Sequence, residues 1–118
     1  MRRQTYEKAG RRAEGLAAIF LQLKGYRILE RRYKCRTGEI DLIASKKNTL
    51  AIVEVKQRRS RADAEDSLTP YGMNRIAAAA DVYVSKTPMS QNLAVRFDAI
   101  FIVGRWRIIH LQDAWRDY

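Results

Sequence analysis

Asp41, Glu54 and Lys56 are the residues of this sequence whose types and spacing best fit a chemical role. They lie in two short apolar runs, residues 39–45 and 50–56, where charged side chains are costly to bury. Two carboxylates held close together repel each other unless a cation lies between them. Mg²⁺ and Mn²⁺ prefer such oxygen ligands and also bind phosphate groups. The two runs therefore indicate a divalent-metal site with a lysine beside it.

The two apolar runs are predicted to form an antiparallel hairpin, because a polar turn at residues 46–49 separates them. In the register that this turn sets, Asp41 lies directly opposite Glu54, and Glu39 lies opposite Lys56. Side chains opposite each other on one face have Cβ atoms roughly 4.5 to 5.5 Å apart. Lys56 follows Glu54 by two residues and is expected on the same face of its strand.

The chain is strongly basic, with a formal net charge of +10 over 118 residues. The excess is uneven, since residues 1–36 contain 11 Lys or Arg and only three acidic residues. A concentration of positive charge favours a polyanionic partner, and nucleic acid is the usual one because each neutralised phosphate releases counterions. The alternative is that arginine-rich helix faces only keep the protein soluble. Charge by itself does not indicate catalysis.

Several classes of protein are disfavoured by what the sequence lacks. The first residues contain no apolar segment of the length that a secretory signal needs, and no run approaches the ~20 apolar residues of a membrane span. We therefore expect a cytoplasmic protein with no membrane partner. The single cysteine, Cys35, excludes an internal disulfide, and together with His110 it makes no zinc-ligand cluster. The length fits one domain that can bury a core.

Apolar residues at helical spacing predict a first helix over residues 5–24, ended by Gly25 as a C-terminal cap. Its expected inward residues are Ala9, Ala13, Leu16, Ala17, Phe20 and Leu23. Glu14 lies next to this stripe, at the border where the helix meets the sheet. That position fits either a site residue or a solvated glutamate at the helix edge.

A first strand is predicted over residues 26–35, ahead of the hairpin, and the polar residues 57–68 are predicted to form a mobile loop. Thr69 and Pro70 are typical of a helix N-cap and first helical position, and they begin a second helix that extends to about Val84. The inward residues expected on this helix are Ile76, Ala79, Ala80 and Tyr83.

A second hairpin is predicted over residues 93–103 and 106–111, with its turn at Gly104. Asp98 in its first strand is expected to be a structural acid, and Trp115 is expected to anchor a short terminal turn. The resulting order α-β-β-β-α-β-β predicts a single α/β domain with a mixed five-stranded sheet flanked by helices.

Five segments of the chain together resemble a known family. They are Gly10-Arg11-Arg12-Ala13-Glu14, Gly25-Tyr26-Arg27-Ile28-Leu29, Gly38-Glu39-Ile40-Asp41-Leu42-Ile43-Ala44, Val53-Glu54-Val55-Lys56 and Phe97-Asp98. These segments resemble the YraN-like family of small bacterial proteins over nearly the whole chain. That family is regarded as an endonuclease-like member of the PD-(D/E)xK superfamily, distantly similar to archaeal Holliday junction resolvases. The resemblance implies a single-domain restriction-endonuclease-like (tRNA endonuclease-like) fold over residues 1–118.

The resemblance also implies a metal site that binds Mg²⁺ or Mn²⁺. In it, Asp41 and Glu54 correspond to the two metal carboxylates, and the carbonyl of Val55 also faces the ion. Glu14 corresponds to a helical acid that reaches the ion through water in resolvase-like members. The predicted catalytic residues are Glu14, Asp41, Glu54 and Lys56.

Lys56 corresponds to the lysine that positions the attacking water and stabilises negative charge in the transition state. Glu39 is expected to act indirectly, as a partner of Lys56, although a salt bridge without catalytic meaning fits equally well. Three positions depart from the family pattern, of which Ala13, in place of a glycine before Glu14, matters least. Gly72 replaces a lysine usual at the start of the second helix, and Arg32 replaces an asparagine usual in the first strand.

The basic residues are expected to follow a nucleic-acid backbone beside the acidic site. The predicted contacts are Arg11, Arg12, Arg32, Lys34, Arg36, Arg58, Arg59 and Arg75. Tyr33, Tyr71 and Trp106 are candidates for stacking on bases, against the alternative that they are core residues, as most aromatic residues are in a small domain.

The sequence thus predicts a divalent-metal-dependent endonuclease that hydrolyses phosphodiester bonds in structured or branched DNA, with RNA not excluded. The alternative is a nucleic-acid-binding protein with a vestigial nuclease site. A third possibility is an interaction protein that binds an acidic partner. Action on a symmetric junction would require a homodimer, because two sites must face opposite strands.

Overall fold

The computed structural model describes residues 2–116, with side chains from residue 10 onward. Within this part of the chain one sheet contains the strands β1 (Arg27–Cys35), β2 (Gly38–Lys46), β3 (Thr49–Arg58), β4 (Ala94–Val103) and β5 (Arg107–Trp115). Their order in the sheet is β1-β2-β3-β4-β5, and only β3 and β4 run parallel. The predicted mixed five-stranded sheet is confirmed.

The described helices are α1 (Arg2–Leu23), α2 (Arg61–Asp66) and α3 (Pro70–Lys86), with a 3₁₀ segment at Pro88–Asn92. Gly25 ends α1 as predicted, with a φ of 94°, and the Tyr26 amide donates to the Leu21 carbonyl at 2.9 Å. Thr69 is the N-cap of α3, since its Oγ1 accepts the Gly72 amide hydrogen at 3.1 Å. Both helix boundaries follow from local sequence signals.

The helices cover the two faces of the sheet. Helix α1 packs on one face, and the buried side chains there come from alternate positions of β3, Val53 and Val55 among them. Helices α2 and α3 cover the opposite face and form the crossover that the parallel β3–β4 pair requires. Among the described residues, no helix is long and apolar enough to cross a membrane.

The buried stripe of α1 differs from the predicted one at its end. Ala13, Ala17 and Leu21 are buried at four-residue spacing, whereas Leu23 is 83% exposed. Leu23 is two residues beyond Leu21 and therefore points roughly 200° away around the helix axis. The predicted inward Leu23 is wrong, and the predicted inward Ala9 lies outside the described side chains.

Residues 57–68, predicted to be a mobile loop, contain helix α2 instead. Ser60 accepts the Asp63 amide hydrogen at 3.1 Å and so caps the helix. Ala64 is fully buried and packs with Phe101 of β4. Burial of this one small apolar residue attaches α2 to the sheet. The other residues of the segment are mostly polar, and for that reason the sequence pattern did not predict a helix there.

The last strand is longer than predicted. Trp115, expected in a terminal turn, belongs to β5, where it pairs with Phe97 and stacks on its ring at 5.5 Å between centroids. A register shift lies between Phe97 and Ala99, and Asp113 adopts a φ of 55°. This irregularity interrupts the alternation of side chains along β5. For that reason the alternation in the sequence predicted a strand that ends at residue 111 and not at Trp115.

Asp98 is a structural acid at the centre of the sheet, as predicted. It is fully buried. Its carboxylate accepts hydrogen bonds from Arg96 Nε at 2.8 Å and from the Asp113 amide at 3.0 Å. Its Oδ2 also lies 2.9 Å from His110 Nε2. Burial raises the pKa of Asp98, but the hydrogen bonds from His110 and Arg96 outweigh that effect and lower it. The carboxylate thus ties β4 to β5.

Candidate functional site

The candidate site forms where β2 and β3 stop pairing. The two strands pair from Lys46↔Thr49 to Leu42↔Val53, which confirms the predicted register over that stretch. The next position in that register would set Asp41 opposite Glu54, but no backbone pair forms there. Instead Asp41 Oδ2 accepts the amide hydrogen of Val55 at 2.8 Å. A carboxylate has replaced a backbone carbonyl in satisfying this strand amide.

An irregularity in β1 and β2 accompanies this change. Ile40 and Ile43 both pack on the α3 side of the sheet although they are three residues apart, so side-chain alternation breaks around Asp41. Across the strands, Arg32 occupies the corresponding unpaired position of β1 and has a φ of 55°. Such local breaks re-aim side chains, and here one directs Asp41 toward β3.

Asp41 and Glu54 lie against each other in one cleft of about 330 Å³. Burial and a hydrogen bond with Asp41 raise the pKa of Glu54 to about 9, while the charge of Lys56 acts in the opposite direction. At neutral pH Glu54 therefore keeps its proton beside Asp41. A bound cation would replace this proton, because both neutralise the same repulsion.

Lys56 lines the same cleft, together with Gln57 and Arg58 at the end of β3. Lys56 and Glu54 also line a smaller cavity of about 80 Å³ on the α3 side, bounded by residues from Ser67 to Ile76. The structure thus brings Asp41, Glu54 and Lys56 to one place. Glu54 and Lys56 line both the larger cleft and the smaller cavity on the α3 side.

The donor set fits a hard divalent ion that keeps much of its water. Among residues 10–116, whose side chains the structure describes, no group of three or more His, Cys, Asp and Glu side chains converges closely enough to hold an ion. The cleft therefore offers the carboxylates of Asp41 and Glu54, with Val55 between Glu54 and Lys56. Mg²⁺ is commonly bound through one or two carboxylates plus waters and substrate phosphates.

Glu14 is not a solvated residue at the helix edge. It is only 8% exposed, and its Oε2 accepts from Arg32 Nε at 2.6 Å. Ala13, which precedes it in α1, lines the cleft that contains Asp41. Glu14 itself is not among the residues that line the cleft, and its carboxylate is engaged by an arginine from β1.

Arg32 introduces a positive charge next to the acidic groups. Its hydrogen bond to Glu14 raises the pKa of the Arg32 guanidinium, and the nearby charges of Glu39 and Asp41 act in the same direction. A left-handed φ at a residue other than glycine is uncommon and costs on the order of 1 to 2 kcal/mol. Arg32 is thus held in a strained conformation that points its guanidinium at Glu14.

Glu39 does not form the predicted contact with Lys56. It pairs across the sheet with Lys34, and its Oε1 lies 4.0 Å from Lys34 Nζ in an exposed position. The reason is the separation of β2 from β3, since the ladder that would set Glu39 opposite Lys56 ends at Leu42. Glu39 contributes negative charge near Arg32 rather than a contact with the catalytic lysine.

The predicted nucleic-acid contacts are mostly exposed. Seven of the eight are solvent-exposed, and Arg32 alone is half-buried, because it reaches inward to Glu14. Arg58 also lines the cleft, and the guanidinium of Arg12 lies 5.3 Å from the centre of the Trp106 ring. The exposed residues in this set are Arg11, Arg12, Lys34, Arg36, Arg58, Arg59 and Arg75.

Comparison with known proteins gives one consistent match. The profile of the uncharacterised protein family UPF0102 matches residues 13–102. A UPF0102 protein of Agrobacterium fabrum is 44% identical over 114 residues, covering 97% of this chain and 93% of the relative. One of Nitrosococcus oceani is 41% identical over 121 residues, covering 98% of each chain. One of Brucella canis is 47% identical over 96 residues, covering 81% of this chain and 76% of the relative.

Proposed function

This chain belongs to the uncharacterised protein family UPF0102, the YraN-like family that its motifs resemble, and we propose that it is a divalent-metal-dependent endonuclease. The observation that carries the proposal is the contact of Asp41 with Glu54 in a cleft that also contains Lys56. The mixed sheet, with this acidic pair on two adjacent strands, supports a fold of the restriction-endonuclease type. The substrate proposed is structured or branched DNA.

Asp41 and Glu54 would hold Mg²⁺ or Mn²⁺, with the Val55 carbonyl as a further ligand and Glu14 acting through water. When bound, the ion supplies positive charge for the phosphoryl oxygens and acidifies the attacking water. The chain's own contribution to this chemistry is to hold a carboxylate ligand in position. The Val55 amide fixes Asp41 Oδ2 at 2.8 Å, so one carboxylate is oriented before any ligand arrives.

Lys56 adds a positive charge that lies outside the carboxylate pair but in the same cleft. Its ammonium has three donors on a flexible stem, which suits it to orienting a water and to stabilising charge that develops on a phosphoryl oxygen. Arg58 and Arg59 follow at the exposed end of β3 and would contact the phosphates on either side of the cleavage point.

One observation favours the alternative of a nucleic-acid-binding protein with a vestigial site. The 2.6 Å contact of Arg32 with Glu14 provides a resident cation next to the acidic groups. A resident cation lessens the need for a metal ion and weakens its binding. The same arrangement is also compatible with a slow or substrate-restricted enzyme.

The direct test is incubation of the purified protein with labelled junction, flap, single-stranded and linear duplex DNA in the presence of Mg²⁺ or Mn²⁺. We expect cleavage that requires the ion and that Lys56→Ala greatly reduces. Lys47→Ala is the matched control, because Lys47 is an exposed lysine in the β2–β3 turn at the opposite end of the hairpin. Equal cleavage by all three proteins would indicate a contaminant, and binding without cleavage by the wild type would support the vestigial alternative.

A further inference from the structure

Trp106 is a large aromatic residue that the fold leaves uncovered. It is 73% exposed, although burying an indole is among the most favourable contributions a side chain makes to stability. The other tryptophan, Trp115, stacks on Phe97 inside the sheet. Trp106 lies in the turn between β4 and β5.

Two hydrogen bonds to Gly104 hold the turn that carries Trp106 beside the candidate site. The Gly104 amide donates to the Arg58 carbonyl at 2.9 Å, and Gln57 Nε2 donates to the Gly104 carbonyl at 3.1 Å. Gln57 and Arg58 both line the cleft that contains Asp41 and Glu54. The position of the turn is therefore fixed relative to the carboxylate pair.

Trp106 itself contacts a residue of helix α1. The guanidinium of Arg12 lies 5.3 Å from the centre of the indole ring, and the adjacent residue Ala13 lines the cleft. A cation over one ring face orients the ring and leaves the remaining indole surface open to solvent. Trp106 and Arg12 together form an aromatic and cationic rim beside the cleft.

The charge around this rim fits a nucleic acid. Arg105 and Arg107 flank Trp106 in the chain, and Arg58 lies across the turn, all three exposed. Positive side chains that follow a phosphate backbone, combined with an aromatic platform for bases, are the means by which proteins bind single strands. A continuous duplex keeps its bases stacked on one another and offers none to an exposed indole.

We propose that Trp106 stacks on an unpaired nucleobase next to the phosphodiester bond that enters the cleft. The preferred substrate class is then nucleic acid with single-stranded or splayed bases at the cleavage point, rather than continuous duplex. This inference rests on the proposed nuclease function, because it assigns a substrate feature to the same cleft.

The proposal is tested by binding at fixed salt in the presence of EDTA, where no cleavage occurs. The probes are a fluorescently labelled oligothymidylate and an abasic oligodeoxynucleotide of equal length, which has the same phosphates without bases. Trp106→Ala should weaken oligothymidylate binding roughly 5- to 150-fold, the range for loss of one stacked base, and leave abasic binding within about twofold. Met89→Ala is the control, since Met89 is 71% exposed and its segment leads into β4 at the far end of the sheet.

Intrinsic fluorescence gives a second readout. The chain has two tryptophans, so Trp115→Phe leaves only Trp106 to report, and oligothymidylate should quench its emission while the abasic strand does not. Unchanged oligothymidylate affinity in Trp106→Ala, or an equal loss on both probes, would overturn the stacking proposal alone. If the wild type bound neither probe, the stacking proposal would also be overturned, whereas the proposed function fails only if branched DNA is not cleaved in the presence of Mg²⁺ or Mn²⁺.

Discussion

Asp41 Oδ2 accepts the amide hydrogen of Val55 at 2.8 Å at the point where β2 and β3 stop pairing. Val55 is the neighbour of Glu54 in β3, so this bond fixes the Asp41 carboxylate relative to the backbone that carries Glu54. One of the two acidic groups is therefore held in place by the sheet itself.

This hydrogen bond predicts different effects for two substitutions at Asp41. Asp41→Asn keeps an acceptor for the Val55 amide and a polar partner for the protonated Glu54, so the free energy of unfolding at neutral pH should change little. Asp41→Ala leaves the half-buried amide without this acceptor and should cost about 1 to 3 kcal/mol. Urea denaturation of the metal-free proteins measures both values. Equal stability of the two variants would show that the bond does not contribute.

The raised pKa of Glu54 predicts a pH dependence of stability. The folded protein keeps a proton on Glu54 up to about pH 9, whereas the unfolded chain loses it near the ordinary value of 4.5. Between these values the folded state binds more protons, so the free energy of unfolding of the metal-free protein falls as pH rises from about 4.5 to about 9, and this contribution is level above that range. Glu54→Gln should remove that contribution.

Comparison of the two proteins by urea denaturation across that range isolates the contribution of Glu54 from that of other titrating groups. The stability of the wild type relative to Glu54→Gln should decrease steadily with pH. A difference that stays constant between pH 5 and pH 9 would contradict the assigned pKa.

Much of the fold around the site could be predicted from the sequence, because strand register and helix termini depend on residues that are close together in the chain. Alternating apolar residues and a polar turn were enough to set the β2–β3 register from Lys46↔Thr49 to Leu42↔Val53. Gly25 and Thr69 mark the helix termini through backbone conformation and capping, which neighbouring residues determine. That register also predicted that Asp41, Glu54 and Lys56 lie together, although the pairing itself stops at Leu42↔Val53.

The remaining features depend on contacts between distant residues, which periodicity does not reveal. Sequence alternation cannot show that the Asp41 carboxylate replaces a carbonyl in the ladder or that Arg32 adopts a φ of 55°. The contact of Arg32 with Glu14 joins a strand to a helix, and no local pattern encodes it. Trp106 was recognisable as a stacking candidate, but its position beside the cleft follows only from the turn contacts of Gly104.

Arg32→Asn should strengthen divalent-ion binding. Asparagine tolerates a left-handed φ better than arginine does, so the fold should be retained, and the substitution removes a positive charge next to Glu14 and Asp41. If loss of this charge makes the interaction with a bound cation more favourable by about 1 kcal/mol, the dissociation constant for Mn²⁺ falls roughly fivefold. Calorimetric titration measures it.

Arg31→Asn is the matched control, because it removes the same charge from the neighbouring exposed residue. Equal effects of the two substitutions on Mn²⁺ affinity would mean that only the overall charge matters. Such a result would leave the contact of Arg32 with Glu14 without a role in ion binding.

Gly38→Ala should disturb both the fold and the site. A Cβ at this position would lie 2.5 Å from the Arg75 carbonyl oxygen, so β2 and α3 would have to move apart, at a cost of about 1 to 3 kcal/mol. Gly15→Ala is the contrasting variant, since its Cβ would meet only Arg31 at an ordinary 3.8 Å and a helix gains about 0.5 to 1 kcal/mol from the change. The melting temperature should fall for Gly38→Ala and rise for Gly15→Ala. A Gly38→Ala protein as stable as the wild type would contradict the packing described.

The most direct test of the central claim is calorimetric titration of Mn²⁺ at pH 7 in buffers of different ionisation enthalpy. Because the pKa of Glu54 is about 9 in the metal-free protein, binding of the ion should release ~1 proton from the acidic pair, and Glu54→Gln should lose both the binding and the proton release. Equal Mn²⁺ affinity in wild type and Glu54→Gln, with no proton released by either, would show that Asp41 and Glu54 do not hold an ion together.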